Sequence, residues 1–286
     1  MAFTAGDLVA VLDLAPDGAD RFRGHSPAVG WRRIFGGLVV AQALVAMQRT
    51  VPARPAHSLH GYFILPGDPE VAIDYAVERL RDGGSFSTRR CVARQQGRPI
   101  FALSASFHAD EPEALDHAAA MPDVPGPETL PSPADLRAGP LPAAVRSRLE
   151  RDGSIDLRPV DRNRFAPPVA GAARAARQAV WMRVAAPLPD DPALHRAMLA
   201  YMSDMTLLDT ALVAHGRSVF DPDIQAASLD HALWIHRPPR ADDWLLYAED
   251  SPNASGARGF ARGAFFDRSG RLVASAAQEG LIRHRR

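Results

Sequence analysis

The chain has 286 residues, 47% of them hydrophobic and 23% charged, and its 33 basic side chains balance 33 acidic ones. That length holds one large domain or two ordinary ones and buries a core without metals or disulfides. With zero formal net charge, no long-range field draws in nucleic acid or an acidic membrane. All the basic residues are Arg, as a GC-rich genome would produce. The lone Cys91 excludes an internal disulfide and fits a cytoplasmic location. The start, MAFTAGDLVAVLDLAPDG, lacks the basic-then-apolar order of a signal peptide. No apolar run approaches the roughly 20 residues of a membrane span, and the final LIRHRR is not a peroxisomal address.

In chain order, GLVVAQALVAMQRTV at 37–51 has the apolar spacing of a helix that stops at Pro52. Strands are predicted at 57–65, 70–80, 85–96 and 97–108, separated by turn residues such as RDGG. Residues 109–150 are rich in Pro and Ala and show little sustained period, which reads as a surface linker with a helical end. Two strand-like stretches follow, 155–161 and 177–185. A second helix pattern covers 192–213, and further strands are predicted at 227–236, 243–250, 256–266 and 270–282. The order helix, then antiparallel meander, thus occurs twice. Ser58-Leu59 aligns with Ser228-Leu229, and Gly97-Arg98 with Gly270-Arg271, at nearly equal intervals. A duplicated unit is the simplest reading, divided as an N-terminal unit at 1–108, a linker at 109–150 and a C-terminal unit at 151–286.

The second helix carries two aspartates. On a helical wheel Asp204 lies within a stripe of Ala197, Ala200, Tyr201, Leu207, Leu208 and Ala211. Burying a carboxylate there costs several kcal/mol unless it is hydrogen-bonded, and desolvation would lift its pKa toward the range of a general base. A hydrogen-bonded core Asp without chemistry has the same pattern. Asp209 falls near Met198, Met202 and Met205, so geometry alone does not choose between the two. In RLVASAAQEGLI, Leu272, Ala274, Ala276, Gln278 and Ile282 share one strand face, and Gln278 is its one large polar group. GHSPA at 24–28 nearly matches a nucleophile elbow, but Pro27 lacks the N–H that follows the serine there, so Ser26 is set aside. His57, His60, His231 and His236 have no zinc spacing, and no metal or other cofactor is expected.

The motifs GWRRIFGGLVVAQAL, HSLHGYFILPGD, ERLRDGGSFSTRR, GRPIFALSASF, YMSDMTLLDTAL, SLDHALWIHRP, ADDWLLYAEDSPNASGARGFARG and GRLVASAAQEGLIR resemble those of the acyl-CoA thioesterase II family. The likeness covers nearly the whole chain outside the linker. It implies an α+β double hotdog, two tandem units that each wrap an antiparallel sheet around a long helix. It also implies hydrolysis of fatty acyl-CoA to fatty acid and coenzyme A, with Asp204, Ser228 and Gln278 as the catalytic set. Asp204 would take a proton from a water held by the other two. The family commonly has Thr where Ser228 stands, and Gln where Leu38 stands. In the first half Ser58 aligns with Ser228, but Ala105 falls opposite Gln278 and no acid lies in IFGGLVVAQALVAM, so one working site per chain is expected. Coenzyme A carries phosphates, which assigns Arg89, Arg90, Arg258 and Arg262 as candidate contacts. A homodimer or larger assembly is expected from the resemblance. Two other readings stand beside this one. A hotdog enoyl-CoA hydratase would need His five residues after the acid, where this chain has Asp209. A non-catalytic acyl-CoA binder or sensor would not need the retained Asp204, Ser228 and Gln278.

Overall fold

The computed structural model describes residues 2–27, 32–111, 115–161, 164 and 174–285. Gly30 and Trp31 of the first motif, Ala28 after the set-aside Ser26, linker residues 112–114 and the terminal Arg286 lie outside them.

Period-2 alternation turns into strand wherever it was read. The first half contains α1 (Ala5–Leu12), β1 (Ala15–Pro16), β2 (Arg21–Gly24), α2 (Gly36–Gln48), β3 (Ala56–Phe63), β4 (Ile73–Asp82), β5 (Phe86–Gln95) and β6 (Arg98–His108). The elements α1, β1 and β2 were not predicted; α1 starts at a capping box formed by Thr4 and Asp7. The linker holds a 3₁₀ turn (Pro127–Thr129), α3 (Pro133–Ala138) and α4 (Ala143–Arg151). The second half contains β7 (Ile155–Pro159), β8 (Arg177–Val184), α5 (Pro192–Ser203), α6 (Leu207–Val213), β9 (Ile224–Ser228), β10 (Asp230–Ile235), β11 (Leu245–Ser255), β12 (Arg258–Asp267) and β13 (Leu272–His284). Two hairpins close on two-residue turns with both residues at positive φ, Gln96-Gly97 and Gly256-Ala257. That geometry matches the right-handed twist of the flanking strands.

All the pairings are antiparallel within one 13-stranded sheet, ordered β1-β2-β4-β5-β6-β3-β10-β13-β12-β11-β8-β7, with β9 alongside β13. The two halves meet at β3 and β10, where Leu59 faces Leu233. This is the double hotdog. The core fills the space between the sheet and the helices, with Leu38, Val40, Leu44 and Met47 of α2 buried against Met198, Leu199 and Met202 of α5. The linker is more than a surface strap. Its Leu130 packs with Trp181, Trp244, Leu246 and Phe266 on the outer face of the second half, and Trp181 Nε1 donates to Pro125 O at 2.9 Å.

One expectation needs correction. The helix read at 192–213 is two helices, broken at Asp204–Thr206. The hydroxyl of Tyr247 donates to Ser203 O at 3.0 Å, occupying the carbonyl that a continuous helix would offer to Leu207. Thr206 sends its own hydroxyl to Glu249 at 2.5 Å. Such side-chain bonds compete with the helix ladder. As a result α5 lies against α2 of the first half, while only the short α6 packs on β11, β12 and β13. Similarly, the strand predicted at 227–236 divides at Leu229 into β9 and β10. Among the described residues no helix is long and apolar enough to cross a membrane.

Candidate active site

The break in the second helix delivers Asp204 to the junction of the two halves. Its carboxylate is buried. It accepts from Gln278 Nε2 at 2.5 Å and from Ser228 Oγ at 3.4 Å. Gln278 reaches it from β13 and Ser228 from the end of β9, which are adjacent strands. The three residues assigned from the resemblance therefore meet around one carboxylate.

The first half supplies the other wall. The backbone N–H of Gly37, in the first turn of α2, also bonds to Asp204. A β-carbon at Gly36 would sit 2.6 Å from Asp204 Oδ2 and 2.9 Å from the Phe63 ring, and one at Gly37 would sit 2.5 Å from Tyr201 O. Only a side chain no larger than hydrogen lets the start of α2 come this close. That start is also the positive end of the helix dipole. The adjacent glycines of GGL were the sequence signal for this close approach.

Burial lifts the Asp204 carboxyl from 3.8 to about 6, against the opposing pull of its bonds from Gln278, Gly37 and Ser228. The acid is thus ionised at neutral pH yet basic enough to accept a proton. Gln278 Oε1 is buried without a hydrogen-bond partner among the described residues.

Sequence reasoning missed several neighbours. His231, set aside in the sequence for want of zinc spacing, is fully buried with Nε2 2.7 Å from Ser203 Oγ and Nδ1 3.9 Å from Asp204 Oδ1. Burial pushes its imidazole down to about 4, so it is neutral near pH 7. Glu249 is buried too, and burial raises it to about 7. It accepts from Thr206 Oγ1 at 2.5 Å, Thr210 Oγ1 at 2.8 Å and Gln178 Nε2 at 2.7 Å, pinning the break beside Asp204. Asp209 takes a structural place, paired with Arg164 and accepting from Val219 N at 2.8 Å.

A hollow of about 420 Å³ opens on Asp204. Ile34, Phe35, Phe63 and Leu65 line it from the first half, and Met205 and Leu208 from the second. Arg148 of α4 lines it as well, its guanidinium 5.6 Å from the Phe35 ring centre. The linker thus reaches the site.

The four arginines assigned to phosphate lie elsewhere. Arg89 is 1% exposed. It bonds Thr50 Oγ1 at 2.9 Å, Arg81 O at 2.9 Å and Asp82 Oδ1 at 2.6 Å, tying α2 to the β4–β5 turn. Its guanidinium has no face left for a phosphate, which corrects that assignment. Arg90, its neighbour in β5, is exposed. Arg258 pairs with Glu279 at 3.0 Å and Arg262 with Asp250 at 2.6 Å, both at the surface. None of the four lines the hollow around Asp204.

Residues 151–281 match the family model described as acyl-CoA thioesterase, and residues 23–108 match the acyl-CoA thioesterase N-terminal domain. Human acyl-coenzyme A thioesterase 8 is 37% identical, over 96% of this chain and 88% of its own length. Acyl-CoA thioesterase 2 of Haemophilus influenzae is 36% identical, over 92% of each. Among solved structures, an acyl-CoA thioesterase II from Mycobacterium marinum superposes with a TM-score of 0.80 at 42% identity, covering 97% of this chain and 98% of that one. A hot dog protein from Alicyclobacillus acidocaldarius shares the fold at a TM-score of 0.77 and 20% identity, covering 96% and 97%.

Proposed function

Since this chain belongs to the acyl-CoA thioesterase family, we propose that it hydrolyses fatty acyl-CoA at Asp204 by direct attack of water, with no covalent intermediate. The observation that carries this reading is the buried carboxylate of Asp204, lifted to about 6 and contacted by both Gln278 and Ser228. A water beside it gives one proton to Asp204 and directs its other hydrogen to the unpartnered Gln278 Oε1. Its lone pair then faces the thioester carbonyl. Attack forms the C–O bond and leaves an oxyanion. The start of α2, whose dipole turns its positive end toward Asp204, stabilises that charge. The C–S bond then breaks, and the departing thiolate takes up the proton held by Asp204. The products are the fatty acid and coenzyme A.

The hollow between the halves takes the acyl chain along Ile34, Phe35, Phe63, Leu65, Met205 and Leu208, so the first half contributes a wall and the second the chemistry, one site per chain. The division at 1–108, 109–150 and 151–286 follows the same logic. The hydratase alternative loses ground because Asp209 is committed to Arg164. A homodimer or larger assembly fits Tyr62 and Trp234, which are 59% and 43% exposed on the joining strands β3 and β10. A cytoplasmic location fits the single buried Cys91, whose thiol burial pushes up to about 12. The direct test is thiol release from octanoyl-CoA, followed with a chromogenic thiol reagent. Steady turnover supports the reading. Tight binding without thiol release would make the chain a binder instead.

A further inference from the structure

His231 stands at the start of β10, and its neighbour Ala232 pairs with Ala277, the neighbour of Gln278. It is fully buried, yet it has no part in holding the attacking water. An imidazole this deep needs a partner for each ring nitrogen. Nε2 has one, Ser203 Oγ at 2.7 Å. Nδ1 has no hydrogen-bond partner among the described residues, and Asp204 Oδ1 stands 3.9 Å from it.

The helix break decides which nitrogen carries the hydrogen. A continuing α5 would bond the Asp204 N–H to Ala200 O. Here that N–H goes to Met202 O, and the Ser203 hydroxyl donates to Ala200 O at 2.9 Å. A hydroxyl has one hydrogen to give. With it spent on Ala200 O, Ser203 Oγ accepts from His231, so the ring carries its hydrogen on Nε2. Burial keeps the imidazole neutral near pH 7, its titration pushed down to about 4. Nδ1 is then a bare lone pair beside a carboxylate. Two acceptors facing each other in a desolvated site repel, and the repulsion ends when the acid takes a proton.

The other charged and titratable groups around Asp204 do not duplicate this. Arg33 and Arg148 line the hollow, and Arg148 favours the charged form of the acid. Tyr247 of β11 gives its hydrogen to Ser203 O, and Glu249 of the same strand is tied to Thr206 and Thr210. Asp209 of α6 is held by Arg164. Asp230, next to His231, bonds His60 of β3 at 3.1 Å.

We propose that His231 is a positioning residue for the base: Ser203 fixes it with its hydrogen on Nε2, and its bare Nδ1, held against Asp204, favours the protonated acid that water activation produces. This rests on the reading of Asp204 as the base, but the first test needs no turnover. Nitrogen NMR is recorded on the histidine-labelled protein, with the His231 signals assigned by their change in Ser203→Ala and their loss in His231→Gln. At pH 8 the hydrogen sits on Nε2. The Nδ1 signal shifts with a midpoint near pH 6 as Asp204 titrates, and this step is missing in Asp204→Asn. A hydrogen on Nδ1 at pH 8 overturns the proposal.

The second test is the pH dependence of kcat/KM for octanoyl-CoA. His231→Gln keeps a polar end for Ser203 but puts a methylene where Nδ1 stood. Ser203→Ala keeps the imidazole but frees its tautomer, so Nδ1 gains the hydrogen and turns it toward Asp204. Both variants move the acid limb down by about half a pH unit or more. A purely structural role lowers the rate at every pH and leaves the limb in place, and an unmoved limb in either folded variant overturns the proposal. The NMR pattern in a protein that releases no thiol upholds the pairing of His231 with Asp204 and instead overturns the hydrolase reading.

Discussion

The two halves share one fold and use its centre in opposite ways. In the first, α2 runs unbroken and its buried polar group is neutral and satisfied. Gln42 Nε2 donates to Val11 O at 2.6 Å and His25 O at 3.0 Å, and Tyr75 OH donates to Gln42 Oε1 at 2.7 Å. In the second, the helix is broken and the buried group is the carboxylate Asp204. Tyr75 and Tyr247 occupy matching places in IDYA and LLYA. The first holds a side-chain amide, whereas the second caps the carbonyl of Ser203 where the helix ends. The first half's centre carries no buried charge. The other carries a desolvated charge, and the first copy's glycines make room for it.

The largest break in this contrast comes from Asp204→Asn. Turnover of octanoyl-CoA, measured by thiol release, falls on the order of 10³-fold, within the range for loss of a general base. The equivalent loss has no counterpart in the first half, where α2 carries no acid. Gly36→Ala tests whether the first half shapes the site. Its β-carbon collides with Asp204 Oδ2 and Phe63, so kcat drops about tenfold or more, with the fold destabilised by ~1–3 kcal/mol. Unchanged kcat would show that the close approach of α2 does not matter.

Stability sharpens the comparison with the opposite sign. The folded Asp204 carboxyl titrates near 6 rather than 3.8, so the folded chain holds that proton more tightly than the unfolded one. The cost is absent below about pH 4, grows between 4 and 6, and levels off above at about 3 kcal/mol. Asp204→Asn therefore melts above wild type at pH 8, and the gap narrows as pH falls toward 4. Calorimetry at both pH values checks this. Smallest of all is the effect of Tyr75→Phe on catalysis. It strands Gln42 Oε1, costing about 1–3 kcal/mol of stability, while kcat stays within twofold.

Much of this architecture was legible because strands write their period locally. Alternation at 85–96 and 97–108, with Gly97 between, became β5, a tight turn and β6. The buried Gln278 was legible for the same reason, as a lone polar residue on an apolar strand face. The helix break was not, because it depends on Tyr247 and Glu249, more than forty residues downstream. The roles of His231 and of the two glycines also come from contacts between distant segments. Arg89 was misassigned for a related reason. Sequence shows where a guanidinium is, not which carboxylate already holds it, as Asp82 holds Arg89 and Asp250 holds Arg262. Asp204 and Asp209 looked alike on the wheel and separated only once their partners were in place.

The central claim is that the ionised Asp204 is the base that activates water. The pH dependence of kcat/KM for octanoyl-CoA tests it most directly. With Asp204 as the base, the rate rises tenfold per pH unit below about 6 and flattens above it, with this limb gone from the residual activity of Asp204→Asn. A limb that persists unchanged in that variant would contradict the account.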